Sequence, residues 1–145
     1  MAAEALAVLD CACASLRRAA RAVTQRYEAG LVGTGLTVTQ LTLLQVLDMK
    51  GASAQGTVGA LLALDPTTLS RTLRPLARAG WISAAPGRDR REVRWRVTAA
   101  GKRRLARARP AWRRAQAELR GKLRPLEWRR MLEQLAQVAA AARQQ

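Results

Sequence analysis

Histidine is absent from this chain of 145 residues. With it go the commonest metal ligand and the commonest general base. No glycine-rich phosphate loop and no paired-carboxylate constellation appears either, so the sequence argues against an enzyme and predicts neither cofactor nor metal. Cysteine occurs only as Cys11 and Cys13, too few for a structural disulfide framework. Acidic side chains are scarce: 10 Asp and Glu stand against 26 Lys and Arg, a formal net charge of +16. That balance favours a polyanionic partner. Lysine is rare as well, at Lys50, Lys102 and Lys122, so arginine supplies nearly all of the charge and suits bidentate recognition. No segment approaches the roughly 18 consecutive apolar residues of a membrane span. Met1-Ala2-Ala3-Glu4 lacks the basic region of a secretory signal, and a cytoplasmic protein with no membrane partner is expected. The length implies a single domain, 1–145, with room for one core and none for a second, catalytic domain.

What is present is a helix, a tight turn, a second helix and a basic hairpin between residues 57 and 101. Asp65 is a good N-cap and Pro66 suits the first helical position, where no N–H is needed. At about 100° per residue, Leu69, Leu73 and Leu76 fall on one side and Thr67, Ser70, Arg71, Arg74 and Arg78 on the other. Short hydroxyls and guanidinium forks are what a major groove calls for. Thr57 to Leu64 makes the preceding helix and leads straight into Asp65, which leaves the short turn of a helix-turn-helix. Trp81-Ile82-Ser83 then begins a strand, Pro86-Gly87 marks the turn region, and Val93, Trp95 and Val97 alternate with Glu92, Arg94 and Arg96 in the returning strand, the apolar set facing the core. Arg88, Asp89, Arg90 and Arg91 remain at the tip, where arginines can enter a minor groove. The fold expected is mainly α with a small β-hairpin wing. The candidate DNA-binding set is Thr67, Thr68, Ser70, Arg71 and Arg74 on the helix with Arg88, Asp89, Arg90 and Arg91 on the wing, and the partner is double-stranded DNA.

The winged portion, 38–101, is flanked by amphipathic helices. Leu6, Leu9, Cys13, Leu16, Ala20, Val23 and Tyr27 form a narrow seam in the first, and Gly30, Gly33 and Gly35 break it. Thr37 and Gln40 have capping-box spacing and open a helix that runs to about Met49. Beyond the wing, Leu105, Ala108, Trp112, Ala115 and Leu119 repeat the seam, as do Trp128, Met131, Leu135, Val138 and Ala142 after Pro125. Segments 4–29 and 102–143 therefore read as dimerisation helices, with Trp112 and Trp128 as core anchors. A homodimer would set two recognition helices one DNA turn apart on a palindromic operator. Pro75 and Pro110 interrupt helical patterns, predicting a kink or a position where the lost hydrogen bond is tolerated.

Three pieces together resemble the MarR-type winged-helix regulators: the segment Thr67 to Leu73, the run Leu76-Ala77-Arg78-Ala79-Gly80, and Asp89-Arg90-Arg91 leading to Val97-Thr98-Ala99-Ala100-Gly101. The resemblance is detailed from about Leu36 to Gly101 and covers the flanking helices in pattern. It implies a triangular homodimer joined through the first and the last two helices, usually a repressor that leaves DNA when a small molecule or an oxidant acts on it. Carried over, it assigns Ser70, Arg71 and Arg74 to the major groove and Arg91 to the minor groove, with Asp89 orienting the wing arginine. Trp81 stands where a smaller aliphatic is usual, and Arg78 where an acidic residue is frequent. Cys11 and Cys13 are candidate redox sensors: taken as helical they lie about 200° apart on the first helix, with Arg17 near enough to lower a thiol pKa. Two other functions fit the charge, an architectural nucleoid-type protein without strong sequence preference and a basic module that meets an acidic protein.

Overall fold

The computed structural model describes residues 10–87, 89, 91–123 and 125–143, the side chains at 125 and 126 excepted. In chain order the elements are α1 (Ala12–Leu31), α2 (Val38–Lys50), β1 (Ser53–Ala54), α3 (Gln55–Leu62), α4 (Pro66–Arg78), β2 (Ile82–Pro86), β3 (Val93–Val97), α5 (Ala99–Gly121) and α6 (Pro125–Ala141). The molecule is mainly helical with a three-stranded antiparallel sheet in the order β1-β3-β2. Ile82 pairs with Val97 and Pro86 with Val93 across the hairpin, while Ser53 and Ala54 pair with Trp95 and Arg94 on its other edge.

Local chemistry starts the helices. The Thr37 hydroxyl accepts from the Gln40 backbone N–H at 3.2 Å, and the Gln40 side chain accepts from the Thr37 N–H at 3.1 Å, which satisfies two orphan donors reciprocally. Asp65 accepts from the Thr68 N–H at 2.9 Å with Pro66 next in line, as the sequence predicts. Thr98 caps α5 by accepting from the Gly101 N–H at 3.1 Å, and its own hydroxyl donates to the Gly80 carbonyl at 2.6 Å. This last threonine ties the end of the recognition unit to the helix that leaves it.

The core is built from leucine. Leu31, Leu41, Leu43, Leu44 and Leu47 from the first two helices meet Leu69, Leu73 and Leu76 from α4 and Leu105 from α5, all nearly inaccessible to water. Burying each such side chain contributes about 1.5–3 kcal/mol. α1 and α5 approach closely enough that a Cβ at Gly30 would stand 3.0 Å from the Ala115 Cβ. Tyr27 donates to Gln116 and Arg26 pairs with Glu118 at 2.7 Å across the same seam. Pro75 and Pro110 stay inside continuous helices on exposed positions, where water can serve the carbonyl that each deprives of a partner.

Several expectations need correction. The sheet has a third strand, β1, and α3 begins at Gln55 rather than Thr57. Trp81 lies before β2 instead of within it, and Val93 at the outer end of the wing is 46% exposed, so the apolar alternation points inward only at Trp95 and Val97. The start of the first seam, with Leu6 and Leu9, lies outside the described residues. Cys11 is not helical: it is the N-cap of α1 in an extended conformation, so the angular separation calculated for two helical cysteines does not apply. Both thiols are exposed, Cys13 included. Among the described side chains of α6 only Trp128 is buried, whereas Leu132, Leu135 and Val138 are 48%, 42% and 43% exposed in the isolated chain. Trp112 is partly buried against the core.

Candidate nucleic-acid interface

α3 ends at Leu62 and α4 starts at Pro66, so the two helices meet across a three-residue turn, helped by the left-handed C-cap Ala63. α4 turns its leucines inward and leaves Thr67, Thr68, Arg71, Arg74 and Arg78 exposed on the opposite side. Among the described residues none of these three arginines has an acidic side chain within salt-bridge distance. Their guanidinium groups thus keep their donors for an external anion. Arg26 and Arg109, by contrast, pair with Glu118 and Asp48.

The hydroxyls on α4 are not equivalent. Thr68 donates to the Asp65 carboxylate, which belongs to the helix cap, so its proton is committed within the chain. That bond, and the one from the Thr68 backbone, hold the Asp65 carboxyl below its ordinary pKa. Ser70 is half-buried and accepts from the Gln55 side-chain amide at 3.1 Å. Gln55 in turn accepts from the Trp95 indole N–H at 3.0 Å. The recognition helix is thereby joined to the sheet through a residue that sequence reasoning missed.

At the wing, the hairpin closes through the Gly87 N–H donating to the Glu92 carbonyl at 3.1 Å and the Glu92 N–H donating to the Asp89 carbonyl at 3.0 Å. The Asp89 carboxylate accepts from the Arg91 backbone N–H at 3.3 Å. Asp89 therefore acts on the backbone at Arg91, and the Arg91 side chain is exposed. Arg88 and Arg90 lie outside the described residues. Arg94 and Arg96, which follow on β3, are occupied within the lobe: Arg94 donates to the Ala52 carbonyl at 2.6 Å and Arg96 to the Ser83 hydroxyl at 3.3 Å. Trp81 has a partner in the Arg104 guanidinium, 4.6 Å from its ring centroid. No helix of the described residues is long and apolar enough to cross a membrane, and they hold no group of three or more side chains suited to a metal.

A family profile described as a winged helix DNA-binding domain matches residues 36–101. No curated protein sequence matches the chain. Among solved structures the chain is similar to the transcriptional regulator MosR of Mycobacterium tuberculosis in complex with DNA, with 36% identity, 92% of this chain and 99% of that chain covered, and a TM-score of 0.80. A probable transcriptional regulator from Pseudomonas aeruginosa shares 25% identity over 90% of this chain and 98% of its own, at a TM-score of 0.78. A mutant MarR from Escherichia coli complexed with operator DNA shares the fold, at 19% identity, 85% and 89% coverage and a TM-score of 0.76.

Proposed function

We propose, since the chain belongs to the MarR family of DNA-binding winged-helix transcriptional regulators, that it is a homodimeric repressor of a palindromic operator. The observation that carries this reading is the division of α4, with Leu69, Leu73 and Leu76 in the core and Arg71, Arg74 and Arg78 exposed without ion-pair partners among the described residues. An Arg fork on such a face pairs bidentately with a guanine edge or clamps a phosphate. Ser70, Arg71 and Arg74 serve the major groove and Arg91 the minor groove, whose narrow A·T tracts attract a guanidinium. Arg88 and Arg90, the sequence neighbours of Asp89, bring two more positive charges, and Thr67 and Thr68 line the start of the helix. Dimerisation is supported by the apolar face of α6, because a row of half-exposed Leu132, Leu135 and Val138 is costly to leave in water and fits a second copy.

The test is selection of bound sequences from random duplexes with the purified protein, followed by titration of the selected site. Arg71→Ala or Arg74→Ala should each weaken that site by about 1–3 kcal/mol. Both residues are exposed, so thermal melting should not change. Unchanged affinity in both variants would contradict the assignment.

Release of the operator by a small ligand or by thiol oxidation is the finer part of the proposal. The exposure of Cys11 and Cys13 supports the second route, since an oxidant reaches both without any opening of the fold. Peroxide should release DNA from the wild type and not from the Cys11→Ala/Cys13→Ala variant. Equal responses of the two proteins would point to a noncovalent effector.

A further inference from the structure

The bridge between sheet and recognition helix has a direction that chemistry alone determines. An indole N–H can only donate, so the Gln55 amide must present its oxygen to Trp95 and its NH2 to Ser70. Ser70 Oγ is therefore an acceptor on its inner side. Two other hydroxyls on the helices turn their protons back to the carbonyl four residues earlier, Thr42 to Val38 and Thr72 to Thr68. The Ser70 proton cannot be spent on Gln55. Ser70 also lines the small concavity of about 290 Å³ that Gln55, Leu73, Arg74, Ala77 and Trp95 share with it between α4 and the wing.

We propose that Gln55 is a positioning residue for DNA readout, which with Trp95 fixes the Ser70 hydroxyl as a hydrogen-bond donor toward an acceptor atom of the DNA. The inference rests on the DNA-binding reading above and adds to it the polarity of one contact. An acceptor on the inner side strengthens the hydroxyl as a donor on the outer side, because hydrogen bonds in a chain polarise one another. The acceptors available in a major groove are guanine N7 and O6, adenine N7, thymine O4 and the phosphate oxygens. Amino groups of adenine and cytosine could meet only the one lone pair that Gln55 leaves on Ser70 Oγ, so they are the poorer partners at this contact. Arg74 lines the same concavity and brings further donors to it, while the Gln55 amide oxygen is already used by Trp95.

Gln55→Glu tests this. A carboxylate only accepts, so it would keep the Trp95 bond and draw the Ser70 proton inward, reversing the chain with little change of shape. Titrations of the selected and a random duplex are compared for wild type, Gln55→Glu, Ser70→Ala and the double variant, with melting curves for each. Gln55→Glu and Ser70→Ala should each weaken the selected duplex roughly three- to tenfold, as the loss of one hydrogen bond does, and alter random duplex less. In the Ser70→Ala background Gln55→Glu should add no further loss of specificity. Trp95→Phe, which frees the amide to turn over, should show the same dependence on Ser70. A Gln55→Glu loss of equal size on both duplexes and in both backgrounds would be the effect of a negative charge alone and would overturn the assignment. So would unchanged affinity in Gln55→Glu. Absence of any selected duplex for the wild type would instead overturn the DNA-binding reading itself. Replacement of guanine N7 by carbon within the site, against neutral methylphosphonate linkages, then separates a base acceptor from a phosphate one.

Discussion

Gly101 sits where the wing is handed to α5, and a single methyl there should unseat it. Its N–H is the donor that Thr98 caps, and its Cα faces the Trp81 peptide, whose carbonyl accepts from the Thr98 N–H at 3.0 Å. An added Cβ would collide with the Trp81 carbonyl oxygen and stand 2.8 Å from Val97 Cγ1 and 2.9 Å from the Trp81 carbonyl carbon. Backbone cannot rotate away as a flexible side chain can, so either α5 or the β2 strand entry must move. Overpacking of this kind costs about 1–3 kcal/mol, and the upper end applies where the obstacle is main chain. Alanine in a helix offsets up to about 1 kcal/mol of that through propensity. Gly101→Ala should therefore lose about 2 kcal/mol, a fall in Tm of roughly 4–8 °C for a chain of this size. Gly56→Ala is the control, because nothing lies within 4 Å of its Cβ position, and it should be neutral or slightly stabilised. Urea and thermal unfolding by circular dichroism, at one fixed protein concentration, read both values. A Gly101→Ala protein as stable as Gly56→Ala would refute the close approach on which the placement of the wing depends.

Leu73→Ala, at a side chain only 2% exposed, should cost about 2–5 kcal/mol by denaturant unfolding, and a loss below 1 kcal/mol would mean α4 does not dock as described. Asp65 has a pKa lowered in the fold from its ordinary 3.8 by the Thr68 hydroxyl and backbone, so its share of stability is present above that value and is lost as pH falls through the lower, folded one. Asp65→Asn should accordingly show a shallower loss of stability with acid below about pH 4, and an unaltered acid limb would contradict the cap. Leu135→Asp with Val138→Asp should yield monomers in equilibrium sedimentation without loss of helical signal, whereas a persistent dimer would move the interface off the α6 face.

The parts of the fold that local chemistry encodes were legible from residue order. Asp65-Pro66, Thr37 with Gln40, and the three-four spacing of Leu69, Leu73 and Leu76 each act within one or two turns of helix, and the structure places all of them as that spacing requires. β1 was not legible, because two residues carry no periodicity and Ser53 and Ala54 become a strand only by pairing with Trp95 and Arg94. Gln55 escaped for a related reason: its partners lie 15 and 40 residues away, and no spacing rule connects them. The exposed side of α4 was read correctly as a face, yet which hydroxyls on it were already committed depended on contacts made only in the folded lobe. Thr68 went to the cap and Ser70 to Gln55. Trp81 looked out of place until Arg104, from a helix beyond the wing, was found against its ring. The cysteine geometry failed at the boundary of α1, since a helical wheel assumes that both residues are helical.

Competition binding over a range of salt concentrations, with the selected duplex against random duplex, tests the central claim most directly. A sequence-reading regulator with arginines on α4 and the wing should lose affinity for both duplexes as salt rises, through counterion release, while holding a specificity ratio of roughly 10³ or more. A ratio near one at every salt concentration would contradict sequence reading and leave an architectural protein that uses the charge of +16 without the recognition helix.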